Sequence, residues 1–156
     1  LPRYCAAGLF FAIRNIVHQK IDIEALCAER GLRITEQRKV IAQVLSDSED
    51  HPDVEMLHER ASKIDPKISI ATVYRTVRLF EEAGVLDRHD FGDGRSRYEP
   101  APDSHHDHLI DVESGKVVEF VDPELEALQK QIAEKLGYRL VDHRMELYGV
   151  RLERDN

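Results

Sequence analysis

The 156-residue chain is 42% hydrophobic with 8 Gly and 6 Pro, which supports a buried core and excludes collagen-like, mucin-like and solenoid architectures. Its 22 basic against 30 acidic residues argue, taken whole, against a nucleic-acid binder, yet the acidity is uneven: 4 basic residues meet 3 acidic ones over 1–32, 11 meet 13 over 33–97, and 7 meet 14 over 98–156. Two cysteines, Cys5 and Cys27, form neither a disulfide framework nor a C-x-x-C pair, so a reducing, cytoplasmic setting is the default expectation.

The apolar run 5–13 near the N-terminus is shorter than the ~20 residues that span a bilayer. Residues 1–20 are therefore expected to be an extension outside the main fold, and no membrane partner is expected. Asp22 suits the N-cap of a helix over 23–30, with Gly31 as its stop. Thr35 caps a second helix over 36–46, whose Val40, Ile41, Val44 and Leu45 form one apolar stripe. Asp53 caps a third helix that ends near 64, before Asp65-Pro66. Ser69 caps a fourth over 70–83, and Gly84 terminates it.

In the fourth helix Ile70, Val73, Val77 and Phe80 recur at spacings of three and four, so they are expected to face inward. Ala71, Tyr74, Arg75 and Arg78 then face outward. Two readings stand for that face: a packed Tyr beside a solvated run of arginines, or a recognition helix whose Arg grips guanine O6 and N7. The next segment, strands over 85–91 and 95–99 around Gly92-Asp93-Gly94, reads as a hairpin. Three helices, a recognition-type helix and a hairpin carrying Arg88, Arg95 and Arg97 follow the order of a winged helix-turn-helix, with the hairpin arginines as phosphate contacts.

Pro100 and Pro102 mark a boundary near residue 100. Beyond it the pattern becomes strand 105–112, turn, strand 116–121, a helix over 124–136 capped by Asp122 with Pro123 at its start, and one or two strands in 138–152. Three of the 8 histidines fall within Ser104-His105-His106-Asp107-His108. Strand alternation puts His105 and Asp107 on one face, His106 and His108 on the other. Surface histidines are one reading. Metal ligation is the other, and imidazole with carboxylate but no thiolate suits Fe(II), Mn(II), Co(II) or Zn(II). Neither an HExxH motif, a nucleophile elbow nor a Gly-rich phosphate loop is present. A metal sensor is accordingly favoured over a metal-dependent hydrolase or a metal-storage module, and no enzyme or small-molecule substrate is expected.

Gly31-Leu32-Arg33-Ile34-Thr35 with Arg38, Ile70-Ala71-Thr72-Val73-Tyr74-Arg75-Thr76-Val77, Ala83-Gly84-Val85 and His105-His106-Asp107-His108-Leu109-Ile110 together resemble, in order and spacing, the ferric uptake regulators. These are metal-dependent bacterial transcription repressors, and the similarity runs from about 22 to 152. The resemblance implies an α+β chain with an N-terminal winged helix-turn-helix domain over 21–100 and a small C-terminal α/β dimerisation domain over 101–156. It implies a homodimer that binds palindromic double-stranded DNA operators of iron uptake and homeostasis genes when loaded with Fe(II) or Mn(II), or else a manganese-, zinc- or peroxide-sensing relative. The family's regulatory metal site would fall on His51, Glu99, His108 and Glu119, and its second site on His105, Asp107, Glu126 and His143. His106 is left as an extra ligand or a solvent-facing residue. The first cysteine pair of the family's structural zinc would fall on Asp111 and Ser114, so no cysteine-ligated zinc is expected. Arg33, just before the second helix, is expected beside a minor groove, which attracts arginine where A·T tracts narrow it, or else as a phosphate contact or a free side chain.

Overall fold

In chain order the elements are β1 (Arg14–Asn15), α1 (Ile23–Glu29), α2 (Glu36–Ser46), α3 (Val54–Ile64), α4 (Ile70–Glu82), β2 (Leu86–Asp90), β3 (Ser96–Pro100), β4 (Asp107–Asp111), β5 (Val117–Val121), α5 (Pro123–Lys135) and β6 (Glu146–Gly149). This computed structural model describes residues 14–15, 20–101 and 105–152. The chain divides into two compact units, one holding α1 to β3 and the other β1, β4, β5, α5 and β6.

Local chemistry sets where the helices of the first unit begin. Asp22, Thr35, Asp53 and Ser69 each lie in extended backbone and accept a hydrogen bond from the amide three residues on, at Ala25, Arg38, Met56 and Thr72. Each cap satisfies one amide that the helix itself cannot. Past the caps, apolar stripes turn inward: Ile23, Cys27, Ile41, Leu45, Leu57, Val73, Val77 and Phe80 join one core with Val85, Leu86 and Tyr98. Each large side chain so buried contributes about 1.5–3 kcal/mol relative to leaving it in water. Ile70 departs from the expected stripe, being 47% exposed, while Ile68 just before the cap is 2% exposed. As the first residue of α4, Ile70 lies where the helix has only begun to cross the core, and Ile68 takes the inward place.

After α4 the chain turns through Gly84 at φ 69° and forms the antiparallel hairpin β2–β3, in register from Leu86↔Pro100 to Asp90↔Ser96. Gly92 and Gly94 adopt φ of 80° and 76° in its turn, a backbone region that glycine enters without steric cost. The Tyr98 amide donates to the Pro52 carbonyl at 3.0 Å, which fastens β3 to the segment leading into α3. The result is the winged helix expected from the sequence.

The second unit is a four-stranded sheet in the order β1-β5-β4-β6. β5 runs antiparallel to β1 and β4, whereas β6 lies parallel to β4. A parallel pair needs a long crossover, and the stretch containing α5 supplies it. Ile110 and Val117 are buried, but no residue of α5 is. The segment 138–152 forms one strand, β6, in line with the one or two expected. One detail differs from expectation. In place of an arm wholly outside the fold, Arg14–Asn15 pairs with Val121 and Phe120 of β5; two residues joined through backbone hydrogen bonds are too short to leave an alternating pattern. Cys5 and the rest of 1–13 lie outside the described residues.

Candidate metal centres and nucleic-acid face

Within the second unit, alternation along β4 separates the histidines as expected. Asp107 is 1% exposed, and its Oδ1 lies 3.3 Å from His105 Nε2 and 3.5 Å from His143 Nε2. His143 reaches it from the loop ahead of β6, and one ligand atom from each of the three residues falls within 4.8 Å of the others. Asp107 Oδ1 and His143 Nε2 are buried, yet neither makes a hydrogen bond, an arrangement that costs free energy unless something else satisfies them. Ligand bonds of ~2.1 Å put neighbouring donors about 3.0–3.4 Å apart, close to the spacings seen. These residues therefore fit a divalent metal. Glu126, in the first turn of α5, is not among the three.

On the other face of β4, His108 stands opposite Glu119 of β5 in register. His106 and His108 are edge to face with ring centroids 4.8 Å apart, and His106 Nε2 lies 3.7 Å from Glu119 Oε1. His108 and Glu119 are buried, and the His106 side chain is only 6% exposed, so His106 does not face solvent.

Within the first unit, His51 precedes α3 and Glu99 lies on β3, both buried. His51 Nε2 is 2.9 Å from Glu99 Oε2, and His89 of β2 bonds the other oxygen, Nε2 to Oε1 at 2.5 Å. His89 was not foreseen as part of the site. The register held a signal for it: His89 opposes Arg97 and Asp87 opposes Glu99, so His89 and Glu99 share a face as diagonal neighbours. Arg97 is the exception among the expected phosphate contacts. It is 8% exposed, and its Nε donates to the His51 carbonyl at 2.6 Å. A guanidinium turned inward to hold a loop is withdrawn from the DNA-facing set.

The other basic residues expected at DNA are exposed. Arg33 stands before α2, and Tyr74, Arg75 and Arg78 share the outer face of α4. Arg78 pairs with Glu82 at 2.9 Å, Arg88 with Glu81 at 3.4 Å, and Arg95 with Asp53 at 3.2 Å. Among the described residues Arg75 makes no ion pair. Cys27 is packed in the core, where burial pushes its thiol above the ordinary range. At Asp111 and Ser114, where the resemblance would place a cysteine pair, Ser114 Oγ donates to Asp111 Oδ2 at 2.6 Å within the β4–β5 turn and holds that carboxyl below its usual range.

Comparison with known proteins places these features among relatives. Residues 29–148 match the profile of the Ferric uptake regulator family. The chain is 65% identical over 134 residues to a ferric uptake regulation protein of Rhizobium leguminosarum bv. viciae, an alignment covering 86% of this chain and 94% of that one. A solved zinc-bound manganese uptake regulator is 65% identical with a TM-score of 0.78, over 85% of this chain and all (100%) of that one. The ferric uptake regulator of Vibrio cholerae is 37% identical with a TM-score of 0.73, over 83% of this chain and 100% of that one.

Proposed function

The chain belongs to the ferric uptake regulator family of metal-responsive transcriptional regulators, and on that footing we propose that it is a homodimeric repressor of iron uptake and homeostasis genes. It binds palindromic operator DNA when loaded with Fe(II) or Mn(II). The observation that carries the metal dependence is the group of His105 and His143 around the buried Asp107, in which the Asp107 Oδ1 and His143 Nε2 atoms are buried and left without hydrogen bonds. Exposed Tyr74 and Arg75 on a capped helix followed by a wing support the DNA side of the reading. In this proposal His105, Asp107 and His143, with Glu126 as a fourth donor, hold one ion.

The regulatory ligands are His51 and Glu99 from the DNA-binding unit and His108 and Glu119 from the other. Each pair is preorganised within its own unit, the first by a 2.9 Å contact and the second by register across β4–β5. When bound, the ion supplies a multidentate clamp that favours one arrangement of the ligand-bearing elements. Because coupling between two ligands is reciprocal, operator DNA tightens metal binding by the factor by which metal tightens DNA binding. A palindromic operator matches a two-fold dimer, with α4 of each protomer reading one half-site.

A manganese-sensing role is the second reading, favoured by the 65% identity to the manganese uptake regulator. One experiment tests the proposal: operator affinity measured against Fe(II) and Mn(II) concentration for the parent and for His108→Ala. We expect metal-dependent operator binding in the parent and its loss in a folded His108→Ala. A full metal response in that variant would remove His108 from the sensing set. A parent that answers Mn(II) but not Fe(II) at matched free concentrations selects the second reading.

A further inference from the structure

We propose that His89 is a positioning residue for the metal-ligating carboxylate of Glu99; the inference rests on the reading of His51, Glu99, His108 and Glu119 as the regulatory ligands. Glu99 is 6% exposed, and its two oxygens are engaged by different histidines: Oε2 lies 2.9 Å from His51 Nε2, and Oε1 lies 2.5 Å from His89 Nε2. An ionised carboxylate only accepts hydrogen bonds, so His89 carries the proton on Nε2 and donates it. The His51 and His89 rings, 5.9 Å apart by centroid, stand one at each oxygen of the carboxylate. This is the disposition of one ligand and one outer partner.

The His89 ring is itself fixed. It stacks on Phe91 at 5.4 Å with the planes 2° apart, and Phe91 also meets His51 edge to face at 6.1 Å. Across the hairpin, His89 opposes Arg97, whose guanidinium holds the His51 carbonyl. One cross-strand pair of the wing thus orients both candidate ligands of this unit, His89 through the Glu99 side chain and Arg97 through the His51 backbone. A carboxylate that gives one oxygen to a metal keeps its other oxygen in place through such a bond, and losing an outer partner of this kind lowers metal affinity about 10- to 100-fold.

The test is a Co(II) titration of the full-length protein, followed by ligand-field absorption and by competition with a chromogenic chelator. The absorption that disappears in His108→Ala marks the regulatory site. There, His89→Leu should bind Co(II) 10- to 100-fold more weakly with a shifted band, and His89→Gln, which keeps an N–H donor, should recover most of the affinity. Unfolding of each variant in chelator separates this from a purely structural role, which would lower the melting temperature without moving the band. Should His89→Leu not fold, Phe91→Leu carries the test, because it frees the ring plane while keeping the donor; unchanged Co(II) affinity in that variant overturns the proposal. Parental affinity and spectrum in a folded His89→Leu, or a His89→Gln as weak as His89→Leu, would also overturn it. If His108→Ala and Glu99→Ala keep all Co(II) absorption, the regulatory-site reading itself fails; if they lose it and His89→Leu does not, only this inference does.

Discussion

Arg75 differs from its basic neighbours in having its charge to spare. Arg78, Arg88 and Arg95 each lean on a nearby carboxylate, whereas Arg75 shares with Tyr74 the exposed face of α4. Arg75→Ala should cost about 1–3 kcal/mol on operator DNA, the worth of a good bidentate base contact, and little on random DNA. Arg95→Ala should weaken both, as loss of a phosphate contact does. Equal losses on the two DNAs from Arg75→Ala, measured by titration at fixed salt, would count against base reading. A second residue-scale test concerns stability. Arg60 donates to both oxygens of Asp50, at 2.7 and 2.6 Å, and holds that carboxyl below its ordinary range. The stabilisation is then fully present above the unfolded carboxyl's pKa of ~3.9 and is lost as pH falls through the lower folded value. The pair is about one-third exposed, so solvent screening limits Asp50→Asn to a cost of roughly 0.2–1 kcal/mol at neutral pH. The gap to the parent should close in acid, and a gap that widened there would contradict the assignment. At this scale the candidate site was half legible. The histidine cluster announces itself by residue type and alternation, but His89 and Arg97 acquire their roles from cross-strand register and burial, which a linear pattern does not weigh.

Helix starts were the most readable elements because a cap is a local event: one side-chain oxygen answers one amide three residues on. Ser69 opens the helix that presents Tyr74 and Arg75, and its Oγ accepts from Thr72 N at 3.2 Å. Ser69→Ala should therefore cost about 0.5–2 kcal/mol and Ser69→Gly only a few tenths. The reading is the urea midpoint at unchanged slope, and equal midpoints for Ser69→Ala and the parent would remove the cap from the account. Ile70 shows why inward faces are harder to assign at helix ends. Periodicity fixes the stripe's angle around the axis but not the residue at which the core begins. β1 and β6 are harder again, since strands of two and four residues owe their places to neighbouring strands and not to their own pattern.

The two units differ in how well each buries its own apolar surface. The first closes over a core built from every one of its helices, whereas the second leaves Leu128 and Ile132 of α5, and Leu136 at its C-cap, exposed. A row of Val118, Leu109 and Leu147 also crosses three strands in register, with Val118 and Leu147 exposed. Contiguous apolar surface of this kind marks an interaction face, and in the proposed homodimer a second copy covers it. The melting temperature should then rise with protein concentration, by the mass action that ties an obligate dimer's stability to its partner. Calorimetry across a hundredfold dilution series checks this, and a transition that stays fixed would mean that the second unit stands alone. Dilution should thus act on this chain as heating acts on a monomer. For the proposed homodimer, the abundance of the chain is then an input in its own right, setting alongside metal supply how much of it is competent to occupy a promoter.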